Sequence, residues 1–440
     1  MAAPGPAAPL PQSVASPLIL AAFRVRSFRF QWPADLLTSL AFEMETVILA
    51  WYVLVQTGSV LLLTAFGSLM FLGTLAAPMF GVLGDRVGGR VMLTSMRGVY
   101  VILAALLMTL SLSGTLTPVW VFVIATLAGV IRPNDQVIRN ALVGETIPPP
   151  HLMGALGLSR ATMDVARVVG ALAGAELSTI LGIGATYVFV TTFYVASVVL
   201  TFGVARRHPV SDPGERPRAA SPGVAPAGLP SPSRRRDLKE GLVYILRTPA
   251  LLAPMWLAFL INLTAYPASN GLLPYVAKNI YFVGATGLGW LVASFSFGGL
   301  LASIATVVTG GPRHPERSML VCSAIWYALL LVFGHAGSLG AGLFALMLAG
   351  FAQNVAMISM MASLLAAAGD RFRGRVMGVR MLAVYGMPLG LMASGALIDL
   401  IGYSRTITVS CAVGLVFTLL IGIKWRTSLW HRRVALTPLP

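Results

Sequence analysis

Long apolar runs alternate with short polar or basic breaks along all 440 residues of the chain. The runs fall at roughly 33–55, 58–82, 91–113, 118–138, 157–181, 185–205, 249–273, 284–309, 318–335, 338–365, 376–401 and 404–425. Each is long enough for a membrane-spanning helix, which needs about 20 apolar residues. The pattern predicts an all-α membrane protein of twelve transmembrane helices. The first run is the least clean, because it holds Asp35, Glu43 and Glu45. Residues 208–233 are rich in Pro, Ser, Gly and Arg and read as a flexible linker. The predicted layout is therefore a disordered and amphipathic N-terminal segment (1–32), a six-helix half (33–205), a linker (206–247), a second six-helix half (248–425) and a tail (426–440). The first residues do not resemble a signal peptide, since no basic residue precedes their apolar run. Arg160 and Arg380 lie 220 residues apart, as do Gly170 and Gly390, which points to two pseudo-symmetric halves.

Composition agrees. Apolar residues make up 57% and charged residues 10% of the chain, against about 25% charged in a soluble domain. The net charge is +16, and its placement is informative. With twelve spans, every lysine and arginine except Lys278 and Arg405 falls on, or nearest to, one side. Basic loops mark the cytoplasm, so both termini and the linker are expected there, in a cell inner membrane or plasma membrane. The basic residues match loops one by one, which argues against nucleic acid as a partner. Cys322 and Cys411 both sit in apolar runs and say nothing of redox compartment. No phosphate-binding loop, nucleophile elbow or metal-ligand cluster is evident, so an enzyme is not expected and no cofactor is called for.

Ionisable groups at membrane depth are costly and normally face a cavity or a partner. Glu43 and Glu45 stand about 200° apart on a helix, so they cannot both face one aqueous path. Glu45 shares a face with Thr38, Tyr52 and Gln56; Glu43 shares one with Ser39, Val47 and Ala50. The more polar stripe makes Glu45 the preferred proton carrier and Glu43 its neighbour, with a structural hydrogen-bonding carboxyl as the other reading. In the fifth span, Arg160, Asp164 and Arg167 have the spacing to neutralise one another, and Asp164 is the next coupling candidate. Asn262, Tyr266 and Asn270 form one stripe on the seventh span, and Gln353 and Asn354 a patch on the tenth. These residues, with Tyr52, Gln56 and Met357, are candidate cavity lining. The pairs Met357/Met361 and Met377/Met381 could hold copper(I), but flexible apolar packing explains them more simply.

The loop after the second span reads Gly81-Val82-Leu83-Gly84-Asp85-Arg86-Val87-Gly88-Gly89-Arg90. It resembles the signature G-x-x-x-D-R-x-G-R-R of the major facilitator superfamily, with Gly89 in place of one arginine. Arg132-Pro133 to Ile147-Pro148, Asp237 to Pro249, and Arg373-Gly374-Arg375 with Pro388, Gly390, Gly395, Asp399 and Gly402 look like the branch that holds macrolide efflux proteins and the enterobactin exporter. Two features depart from drug/proton antiporters of this fold: residues 121–127 hold no arginine, and Gly170 is followed by Ala171 rather than proline. The resemblance implies that spans one, four, seven and ten line a central cavity. It also implies that Gly81, Asp85, Arg86, Gly88, Arg90 and Gly374 control the exchange of conformations.

The expected function is secondary active transport by alternating access: proton-coupled export of a lipophilic small molecule such as a drug, a macrolide-like compound or a siderophore. The partners are that substrate, protons and the lipid bilayer, and the protein is expected to be a monomer. The alternatives are an importer or a lipid or metal transporter of the same fold, or a membrane sensor that does not transport.

Overall fold

A computed structural model describes residues 22–74, 87–147, 149–204, 245, 248–368, 376, 380 and 383–426. Each of the twelve apolar runs carries a helix: α1 Arg26–Thr57, α2 Val60–Leu69, α3 Gly89–Leu112, α4 Pro118–Thr146, α5 Pro149–Ile180, α6 Gly182–Thr201, α7 Pro249–Ile280, α8 Ala285–Thr309, α9 Pro315–Gly334, α10 Leu339–Ala367, α11 Gly386–Ile401 and α12 Tyr403–Lys424. No strand occurs among the described residues. Among the described residues, nine helices (α1, α3, α4, α6 to α10 and α12) are long and apolar enough to cross a membrane. The described parts of α2 and α11 are shorter, and α5 carries Arg160, Asp164, Arg167 and Glu176. The fold is an all-helical bundle of twelve helices in two halves around a central cavity.

Local chemistry sets the helix ends. The α1–α2 turn is tight because Gly58 takes φ +64°, which closes α1 through its N–H to Leu54 O, and Ser59 then caps α2 by accepting from the Leu62 N–H. Proline opens α4, α7 and α9, where its missing N–H is not needed. The helical path of α7 loosens into wider turns over Pro267–Gly271 and Val276–Ile280.

The halves repeat one packing scheme. In the N-terminal half α1 packs on α5, α2 on α4 and α3 on α6; in the C-terminal half α7 packs on α11, α8 on α10 and α9 on α12. The glycines 220 residues apart show why. A Cβ at Gly170 would meet Glu43 Cβ at 2.9 Å and Leu40 O at 3.0 Å on α1, and one at Gly390 would meet Leu263 O at 2.0 Å on α7. Hydrogen side chains at these two points let equivalent helices touch backbone to backbone. Between the halves, α5 packs on α8 and α2 on α11.

Two boundaries differ from the sequence reading. The first helix begins at Arg26 rather than at 33, so the end of the expected N-terminal segment belongs to it. Its opening turns are anchored: Phe28 is buried with Val143, Ile147 and Ala155, and Trp32 Nε1 donates to Thr162 Oγ1 at 2.8 Å. The fourth helix continues past residue 138 to Thr146, which places Arg139, like Arg132 within the run, on a helix rather than in a loop. The linker at 206–244, Gly81, Asp85, Arg86, Gly374, Met377 and Met381 lie outside the described residues.

Candidate functional site

A cavity of about 470 Å³ lies between the halves. It extends from Ala50 and Leu63 toward Thr38, Arg139 and Arg160, on the side where α1 begins. On the other side the halves are held together. Lys278 Nζ donates to Leu54 O at 3.3 Å, and Thr286 Oγ1 donates to Glu176 Oε2 at 2.9 Å. Apolar wall comes from Phe42, Val47, Phe66, Met70 and Phe71 on one side and from Leu288, Val292, Met387 and Leu391 on the other.

Glu43, not Glu45, faces this space. The stripe Ser39, Glu43, Val47 and Ala50 lines the wall, and Glu43 Oε1 accepts from Arg167 Nε at 3.3 Å. Glu45 turns into the N-terminal half. It pairs there with Arg132 and accepts from the Tyr194 hydroxyl at 3.1 Å. Arg132 also lies 4.0 Å over the Phe42 ring. The polar stripe that favoured Glu45 is consumed inside the half: Thr38 bonds Ser197 at 2.5 Å, and the Tyr52 hydroxyl donates to Leu116 O at 2.8 Å. Gln56 is exposed beyond the cavity.

A second buried cluster lies nearer the start of α1. Asp35 pairs with Arg97 and stands 3.7 Å from Arg139 Nε. Arg139 pairs with Asp135 at 2.5 Å and donates to Ser39 Oγ at 2.9 Å, while Arg97 also donates to Thr201. Together these pairs join α1, α3, α4 and α6. Sequence reading missed them because it counted Arg132 and Arg139 as loop charges. The signal was present: Arg132, Asp135 and Arg139 follow the spacing of one helical face, opposite a first span with three acids.

On α5, Arg160 and Asp164 pair at 3.6 Å as expected, but Arg167 reaches across to Glu43 rather than to Asp164. Asp164 instead accepts from Ser303 at 3.3 Å across the interface between halves, and Asn354 donates to Ser303 at 3.0 Å. Of the other expected lining residues, Tyr266 and Asn270 are in the wall. Gln353 stands behind Tyr266, donating to its hydroxyl at 3.2 Å, and Asn354 donates to Gly299 O at 2.6 Å. Asn262 turns back to Ala258 O, and Met357 packs in the core of the C-terminal half. The tenth helix thus supports the wall from behind. Of the signature loop, Gly88 takes φ +90° ahead of α3, and Arg90 donates to Phe202 O at 2.6 Å.

Two six-helix repeats that enclose a charged cavity at membrane depth define a membrane transporter. The chain belongs to the Major Facilitator Superfamily, whose model matches residues 32–311. No curated protein matches the sequence. Among solved structures, it resembles the human organic anion transporter TETRAN (17% identity, TM-score 0.63, covering 90% of this chain and 99% of that one). It also resembles a POT family transporter in complex with 5-aminolevulinic acid (12%, 0.69, 92% and 97%). A third is a bacterial homolog of the human lysosomal transporter Spinster, inward-facing and unoccupied (13%, 0.66, 95% and 100%). At these identities the likeness is one of fold. The protein is a membrane transporter and not an enzyme.

Proposed function

We propose that this transporter exports a lipophilic small molecule in exchange for protons, by rocking its two halves about the central cavity. The carrying observation is the Glu43–Arg167 pair, a carboxylate in the wall of an otherwise largely apolar cavity. Proton and ligand alternate by occlusion. A ligand that fills the cavity covers Glu43, so the carboxyl exchanges protons with water when the cavity is empty. Asp164, also in the wall, is the second candidate. Glu45, held by Arg132 and Tyr194, keeps the half rigid while it moves.

The charge alternation supports cytoplasmic termini, which makes the cavity inward-facing. Cysteines placed at Ser221 and Gly114 should label from opposite sides of the membrane, and labelling from one side alone would overturn this orientation. The loop and span-eleven motifs support membership of the branch with macrolide efflux proteins and the enterobactin exporter. Asp85, Arg86 and Gly374 then govern the exchange of states, so Asp85→Asn should slow turnover with inward-state ligand affinity retained. The test of the whole reading is uptake into inside-out proteoliposomes of a macrolide, a catecholate siderophore and further lipophilic compounds. Uptake of at least one should require an acidic interior. Uptake that ignores the pH gradient would refute the proton coupling.

A further inference from the structure

The side of the molecule where the halves are held together has its own chemistry. Its seal is mostly apolar: Leu273, Val276 and Ala277 of α7 are buried in one cluster with Val47 and Val60 of the N-terminal half. Every turn on that side is among the described residues, and of the lysines and arginines only Lys278 and Arg405 fall there. Lys278 Nζ crosses between the halves to Leu54 O at 3.3 Å. That carbonyl belongs to the last turn of α1, where the Gly58 N–H also ends on it at 3.0 Å. The last carbonyls of a helix have no N–H partners within the helix and carry the negative end of its dipole. Lys278 thus finds its counter-charge on a helix end, and it makes no ion pair among the described residues.

The end of α7 is shaped to deliver this contact. Lys278 sits in the wide turn Val276–Ile280, closed by the Tyr281 N–H on Val276 O at 3.0 Å. A turn of this kind rotates the side chains off the regular helical register. Phe282 follows at φ +53°, a left-handed conformation that bulky side chains rarely adopt. A backbone of this form persists only where its surroundings hold it. The nearby second tie between the halves is Thr286 Oγ1, which donates to Glu176 Oε2 at 2.9 Å. We propose that Lys278 is the clasp of the closed side. It fastens the end of α7 to the end of α1, and so sets the share of molecules whose cavity opens on the opposite side. The inference rests on the rocking of the halves proposed above, and not on proton coupling, substrate or direction of transport.

The test measures the closed side directly. Nitroxide labels are placed at Thr115→Cys, in the exposed turn after α3, and at Gly337→Cys, in the exposed turn after α9. The full-length protein is held in nanodiscs, with Cys322 and Cys411 replaced by alanine, and the distance between labels is read by double electron–electron resonance without any gradient. With Lys278 present, one short distance should dominate. Lys278→Met should raise the share of a longer distance about twofold to fivefold, the range that a cation at a helix C-terminus supports. Lys278→Gln should do the same, so the result does not depend on one variant folding. Lys278→Arg keeps a cation at the helix end and should stay close to the parent protein. Thr286→Val removes the second tie and should also populate the longer distance. A longer distance with Thr286→Val but not with Lys278→Met or Lys278→Gln would overturn the clasp and leave the rocking of the halves standing. A gain as large with Lys278→Arg as with Lys278→Met would overturn it too. No longer distance in any variant would overturn the clasp and the rocking together.

Discussion

The two six-helix halves share a packing scheme and divide the chemistry. Every ion pair found among the described residues is made by residues of the N-terminal half: Asp35–Arg97, Asp35–Arg139, Asp135–Arg139, Glu45–Arg132, Glu43–Arg167 and Arg160–Asp164. The C-terminal half answers with neutral groups, namely Tyr266, Asn270, Gln353 and Asn354, around one large apolar core. A duplicated scaffold needs equivalent close approaches in both copies, which Gly170 and Gly390 provide. It does not need equivalent charges. One copy is thus free to carry the buried ion pairs while the other packs with neutral groups.

The largest expected effect breaks the charged half alone. Glu45→Ala strands the buried Arg132 and should cost about 3–5 kcal/mol, read as the greatest loss of thermal stability in the series. Replacing both Glu45 and Arg132 with methionine should recover most of it, since neither charge is then left unpaired. Gln353→Leu in the other half removes one neutral hydrogen bond and should cost about 0.5–1.5 kcal/mol. Equal losses for Glu45→Ala and Gln353→Leu would erase the contrast between the halves.

A smaller effect should strike both halves alike. Gly170→Ala and Gly390→Ala each force a methyl group against a facing backbone, at about 1–3 kcal/mol. Gly390 should suffer more, because its Cβ would fall 2.0 Å from Leu263 O against 2.9 Å and 3.0 Å for the contacts at Gly170. Thermal unfolding of the two variants checks the order. A neutral Gly390→Ala would contradict the close approach itself.

Most of the fold was legible in the sequence, because a membrane span is written as a long apolar run and each of the twelve runs carries a helix. What escaped was chemistry that hydropathy hides. The polar ends of α1 and α4 extend past their apolar runs, and Arg132 and Arg139, at the basic end of α4, read as loop charges although the helix continues through both. The facing of Glu43 and Glu45 does not follow from the polar stripe, because a polar stripe need not face water. In a bundle of six helices such a stripe can equally face its neighbours, and Thr38 and Tyr52 spend their hydroxyls there. Spacing correctly linked Arg160 to Asp164, but no spacing rule within one helix could tell that Arg167 would reach α1. Tyr266 and Asn270 were found because one stripe of α7 does face the cavity.

The central claim is that the proton is carried at Glu43, in the N-terminal half and in the cavity wall. It is tested most directly by pH-gradient-driven uptake into inside-out proteoliposomes, comparing the wild-type protein with Glu43→Gln. The substitution mimics the protonated carboxyl and releases Arg167. Glu43→Gln should lose accumulation driven by the pH gradient and keep exchange of the same compound down its own gradient. Full gradient-driven accumulation by Glu43→Gln would contradict the claim and move the coupling site to Asp164 or Glu45.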